Sequence, residues 1–297
     1  MRLLSRREIC IIDIGFGAGI AGCTARMGKH PRKLRRRLAG LLPPDRNIGE
    51  RLTVVERRMR ANSRAIAQLR FAIALSPTDP ARVLEHLPRS KSQHRQDIFV
   101  LLQLGFKRNG YFVDFGATDG IKLSNSYLLE RDYGWTGIAA EPAKCWHQDL
   151  NRNRNCHVDT ACVWSESGSI VTFNETSAPV LSTIDSFSGC DRHARARAHG
   201  RHYDVETLSL LDLLRKYDAP RTIDHLSIDT EGGEYEILRH FDFRAYRFGI
   251  ITCEHNRAEM RPKLHGLLTS NGYERRFEAL SACDDWYVDI SGRPGGF

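Results

Sequence analysis

No two of the eight cysteines stand in a CxxC step. That spacing is what a zinc knuckle or a redox pair needs, so neither a zinc site nor a disulfide framework is signalled. Each cysteine is expected as a small core residue in a reducing, cytoplasmic compartment. Long apolar runs are also missing. The stretch Ile11–Gly19 (IIDIGFGAG) is too short for a membrane span and carries Asp13, and no convincing signal-peptide cleavage pattern accompanies it. By itself it matches a nucleotide-binding strand and turn. Its surroundings do not: Cys23–His30 is short and broken before Pro31, and arginines follow where an acidic second strand is needed. It reads as an irregular terminal segment or a short anchor peripheral to a membrane. Acidic residues are scarce at this end. Residues 1–70 hold 17 Lys and Arg against 5 Asp and Glu, a net of +12, which leaves 27 against 31, a net of −4, for the rest. The focus is Arg32–Arg37 (RKLRRR). A solvated tail and a contact of residues 26–37 with nucleic acid or an anionic membrane are both open.

What the chain does have is length and apolar content: 297 residues, 41% hydrophobic, enough for one large or two small domains with a proper core. After Pro43-Pro44, the residues Leu52, Val55, Met59, Asn62, Ile66, Leu69 and Ile73 alternate spacings of three and four. This is a coiled-coil seam with one polar position, and it predicts either a homo-oligomer through 52–73 or a helix lying across its own domain. The expected division is a basic irregular segment over 1–45, an amphipathic helix over 46–75, a linker over 76–90 marked by Pro77, Pro80 and Pro88, and the main domain over 91–297.

The main domain is organised around Tyr111–Gly120 (YFVDFGATDG). Tyr111, Phe112, Val113 and Phe115 read as a short buried strand, Asp114 sits near its end, and Gly116 and Gly120 release the backbone into a tight turn. Ser124 can cap the helix that follows. A second apolar strand, Ile138–Ala140, ends on Glu141, 27 residues past Asp114. That suits a carboxylate gripping the two hydroxyls of a ribose. The phosphate-cradling GxGxxG is absent from this turn, and a polar Thr118-Asp119 inside it favours a cation or ammonium group over a pyrophosphate. S-adenosylmethionine fits: it has an adenosine, an amino-acid end and no phosphate.

Further strands are expected at Val158–Trp164, Ile170–Phe173, Ile223–Ile228, Phe248–Cys253 and Asp284–Val288, the last antiparallel. Helices are expected at Gln96–Phe106, from Pro142 through Leu150, at Leu208–Tyr217 capped by Thr207, at Glu234–His240 and at Ala258–Ser270. Together these predict an α/β fold: a doubly wound, mostly parallel seven-stranded sheet with a helical amino-terminal extension. The stretch Ser182–Asp204 has no periodicity and carries Arg192, His193, Arg195, Arg197, His199, Arg201 and His202. It reads as a solvated insertion or as a mobile lid that meets an acidic substrate.

The blocks FVDFGATDG, SNSYLLE, GWTGIAAEP, IDHLSIDTEGGEYEIL, ITCEHN and DDWYVD, taken in order, resemble the FkbM-type methyltransferases over about Ser92–Asp289. The resemblance implies a class I S-adenosylmethionine-dependent enzyme that O-methylates a sugar, polysaccharide or other hydroxylated metabolite. It implies that Asp114, Gly116 and Glu141 hold the cofactor, with Asp119, Gly120 and Asn125 lining the same turn and Asp159 near the adenine.

Methyl transfer needs an aligned acceptor and a group that removes its proton. Asp229 and Glu231 end the fourth strand; Glu254, His255 and Asn256 end the fifth. Two mechanisms remain open: His255 or Asp229 as general base, or a Mg2+ ion on Asp229, Glu254 and Asn256 that lowers the hydroxyl pKa. Glu234 is expected to stabilise a helix start. The Asn/Asp-Pro-Pro-aromatic tetrad of nucleobase amine methylation is missing at Asp229-Thr-Glu-Gly. A nicotinamide oxidoreductase on the same fold is disfavoured by the missing GxGxxG, and a non-enzymatic module using the basic extension is the other alternative.

Overall fold

A computed structural model describes residues 46–256 and 259–292, so Ile11–Gly19 and the basic run lie outside the described residues. The chain forms two compact units, one through Met59 and the other from Arg60. The helix predicted over 46–75 forms as α1, Arg46–Leu75. Its seam is exposed: Val55 is 50%, Met59 64% and Ile66 54% accessible, whereas Ala72 and Leu75 at its end are buried. The expected linker is instead folded. Pro80–His86 is a helix, α2, because Asp79 accepts from the Arg82 N–H and Pro80 sits in the first turn, where its missing N–H costs nothing. Val83 and Leu87 join the core.

Helix α3, Gln96–Gln103, leads into β1, Tyr111–Phe115. Then come α4 (Tyr127–Tyr133), β2 (Thr136–Ala140), α5 (His147–Asn153) and β3 (His157–Asp159). Past an insertion lie α7 (Leu210–Lys216), β8 (Thr222–Ile228), α8 (Glu234–Arg239), β9 (Arg247–Glu254), α9 (Arg261–Ser270), β10 (Tyr273–Arg276) and β11 (Asp284–Asp289). These strands form the predicted seven-stranded sheet, in the order β3-β2-β1-β8-β9-β11-β10. β11 runs antiparallel to both of its neighbours and the other pairs are parallel. Alternation along β1 sends Phe112 to one apolar layer, with Ile98, Phe99 and Trp286, and Val113 and Phe115 to the other, with Leu213, Leu226 and Ile237. Each such buried side chain contributes about 1.5–3 kcal/mol, so both faces are tied to the central strand.

The insertion differs from expectation. Val158–Trp164 is not one strand. Asp159 Oδ1 accepts from the Ala161 N–H at 2.9 Å, and this Asx turn splits it into β3 and β4, Cys162–Trp164. β4 joins β5 (Ile170–Glu175), β6 (Thr183–Ile184) and β7 (Arg201–Ser209) in a second, four-stranded sheet of order β4-β7-β5-β6. Ser182–Asp204 is therefore ordered sheet, turn and a short helix, α6 (Ala194–Arg197). Thr207 lies inside β7; the cap of α7 is Ser209, whose Oγ accepts from the Asp212 N–H at 3.1 Å.

Candidate active site

Strands β1, β2, β8 and β9 are parallel, so their carboxyl ends meet at one edge of the sheet. There a cavity of about 210 Å³ is lined by Asp114, Gly116, Asn125, Glu141, Asp229, Glu231, Glu254 and Asn256 among others. Gly116 has φ +74°, and a Cβ on it would stand 1.9 Å from the Asp229 carbonyl oxygen, so the turn after β1 packs directly on the tip of β8. Ser126 Oγ donates to Asp114, and the buried Arg154 guanidinium steadies that serine and Ser124 from behind. Burial raises the Asp114 carboxyl. At the tip of β2, Glu141 accepts from the N–H groups of Ala143 and Thr118, both at 2.8 Å. Burial outweighs these bonds and pushes its carboxyl up to about 7.

Other predicted cofactor residues shape the turn from outside the cavity. Asp119 Oδ1 accepts from the N–H groups of Ile121 and Lys122, and Gly120, at φ +79°, packs on Arg154 and Leu150. Asn125 faces the cavity, although Ser92 and Ser227 already engage its amide. Asp159 stands beside Glu141, its carbonyl accepting from the Glu141 N–H at 3.0 Å, but its Oδ2 pairs with Lys216 at 2.8 Å and it does not line the cavity.

At the acidic tips, carboxylate oxygens of Asp229, Glu231 and Glu254 lie within 4.8 Å of one another. Glu231 and Asn256 both adopt left-handed backbone, φ +58° and +42°. Glu231 Oε2 accepts from Arg197 Nη2 at 2.7 Å and from Asn256 Nδ2 at 2.9 Å, but burial, then Asp229, outweighs these donors and pushes its carboxyl up to about 8. Burial, then Asp284, raises Asp229 to about 7; burial, then Asp229, raises Glu254 well above the usual range. Burial and mutual repulsion raise all three carboxyls, so Asp229, Glu231 and Glu254 titrate as a group. Glu234 caps the start of α8, accepting from Thr230 and Gly232, as expected. The predicted Mg2+ set changes: Glu231 joins Asp229 and Glu254, and Asn256 turns its amide N–H to Glu231. His255 faces a second cavity of about 100 Å³ behind the tips and has Nε2 3.8 Å from Asp285 Oδ1. It is absent from the main cavity, and burial lowers its pKa.

The FkbM methyltransferase domain profile matches residues 114–275, more than half of the chain. The chain belongs to this family. It is accordingly an S-adenosylmethionine-dependent methyltransferase, and the oxidoreductase and binding-module alternatives are set aside. No curated protein matches the chain. Among solved structures, precorrin-6y C5,15-methyltransferase from Geobacter metallireducens is similar at 13% identity, over 65% of this chain and 84% of that one, with a TM-score of 0.37. A putative RNA methyltransferase from Pyrococcus horikoshii shows 12% identity, over 76% and 98%, with a TM-score of 0.34. Likenesses at that level add nothing to the family assignment.

Two residues that patterning does not single out stand behind the acidic tips. Asp284 opens β11 beside the tips, accepts from Gln96 Nε2, and is raised to about 7 by burial. Its only sequence signal is the Asp-Asp pair that starts the strand. Arg197, counted with the solvated arginines, is 1% exposed and holds Asp191, Glu231 and the Leu181 carbonyl.

Proposed function

We propose that this enzyme methylates a hydroxyl oxygen of a sugar, polysaccharide or secondary metabolite, with Asp229 accepting the hydroxyl proton. The observation that carries the reading is the position of Asp229: it lines one cavity with Asp114 and Glu141, and its carboxyl titrates near 7. S-adenosylmethionine supplies a methyl group already activated by its sulfonium charge. The residues present suit it: two buried carboxylates, Asp114 and Glu141, face a cavity without a phosphate cradle, where a ribose diol and an ammonium group need acceptors. Asp229, in its ionised form, would take the hydroxyl proton as the acceptor oxygen replaces sulfur on the methyl carbon, the donor leaving as the neutral thioether S-adenosylhomocysteine. Free thiols at the exposed Cys145 and Cys190 support a reducing, cytoplasmic setting.

The test is transfer of a labelled methyl from S-adenosylmethionine to hydroxylated sugars, with the product challenged by mild base. A methyl ether survives; a methyl ester does not, and loss of the label overturns the O-ether reading. Asp229→Asn is expected to lower kcat by about 10²–10⁴-fold while S-adenosylhomocysteine still binds. Full turnover in that variant removes Asp229 from proton transfer.

A second reading places a divalent ion on Asp229, Glu231 and Glu254. It is favoured by Glu254 Oε2, which is buried and receives no N–H or O–H among the described residues. Chelation that stops turnover, restored by Mg2+, would select it.

A further inference from the structure

We propose that Arg192 is the anion-binding group of the acceptor subsite. The methyl acceptor carries a carboxylate or phosphate, held by this guanidinium while its hydroxyl meets Asp229. The proposal rests on the methyl-transfer reading and adds the charge of the substrate.

Arg192 lies in a built turn. Asp191 Oδ1 accepts from the His193 N–H at 2.7 Å and from Arg197 Nη1 at 2.8 Å. Arg197 also donates to the Leu181 carbonyl at 2.7 Å and to Glu231 Oε2 at 2.7 Å. A buried ion-pair network therefore clamps the Asp191–His193 turn both to the cavity wall and to the acidic tip. Arg192 itself is exposed and lines the main cavity with Asp229 and Glu254.

Among the described residues no carboxylate matches its charge. Nε donates to His193 Nε2 at 3.0 Å and Nη2 contacts Cys283 Sγ at 3.5 Å, a neutral ring and a weak acceptor. Among the described residues no carboxylate oxygen lies within 4.0 Å of the guanidinium, although Asp229, Glu231 and Glu254 line the same cavity. The Cys283 carbonyl accepts from the His255 and Asn256 N–H groups, so the sulfur contact places the guanidinium beside the tip of β9, on the acceptor side. A guanidinium presents a planar fork of donors that fits a carboxylate or phosphate. Lys122 lines the cavity too, but it belongs to the turn of Thr118 on the cofactor side and serves as the control.

The experiment is calorimetry on the full chain with three probes: glucose, glucuronate and glucose 6-phosphate. S-Adenosylhomocysteine is titrated first; if it fails to bind, the methyltransferase reading falls, independently of Arg192. The probes are then titrated into the loaded protein. At least one anionic probe is expected to bind tenfold or more tightly than glucose, and which one does so separates a carboxylate from a phosphate acceptor. Arg192→Met is expected to erase that preference and leave S-adenosylhomocysteine affinity within threefold, whereas Lys122→Met keeps the preference. Equal binding of all three probes, binding of none, or a preference that persists in Arg192→Met overturns the proposal.

Discussion

Both oxygens of Glu141 already accept a backbone N–H, so any ribose hydroxyl must use their remaining lone pairs, which only the ionised form offers fully. Its carboxyl titrates near 7 in the folded chain because burial dominates, well above an exposed glutamate. The folded state thus holds this proton more tightly than the unfolded one, and the contribution to stability is lost as pH rises toward 7. A ligand that prefers the carboxylate shows the opposite slope. Affinity for S-adenosylhomocysteine is expected to rise between about pH 6 and 8, by calorimetry, and Glu141→Ala to weaken it by about 1–3 kcal/mol and flatten the slope. Unchanged affinity and slope in the variant would refute the ribose role.

At the scale of elements, Arg197 joins the insertion to the tip of β8. Removing it leaves Asp191 and Glu231 without their buried partner, a loss of about 3–5 kcal/mol for a broken buried pair. Arg197→Met is expected to lower Tm and to open residues 182–200 to limited proteolysis; a cleavage pattern like that of the wild type would reject the clasp. The sequence conceals this arginine because a buried, paired guanidinium has the same letter as a solvated one. Strands β1, β2, β8 and β9 were legible because central parallel strands are unbroken apolar runs, and parallel pairing carries the acids at their ends to one edge. That logic places Asp114, Glu141, Asp229 and Glu254 together, and they line one cavity. It misread Val158–Trp164, where apolar continuity hides the Asx turn at Asp159, and it had no signal for β6, which is two residues long.

For the whole molecule, the exposed seam of α1 bears on association. Val55, Met59, Ile66, Leu69 and Ile73 are each 45–64% accessible, with Asn62 among them, and pairing with a second copy would bury them. The full chain is expected to sediment as a dimer and Met59→Glu/Ile66→Glu as a monomer. A wild-type chain that already sediments as a monomer rejects this pairing.

The contact between Gly116 and the Asp229 carbonyl has its own consequence. The turn after β1 and the tip of β8 meet through main chain, so the spacing between these two backbones does not wait on any rotamer. Any substitution at Gly116 should push the turn after β1 away from the tip of β8 and so change the shape of the cavity between them.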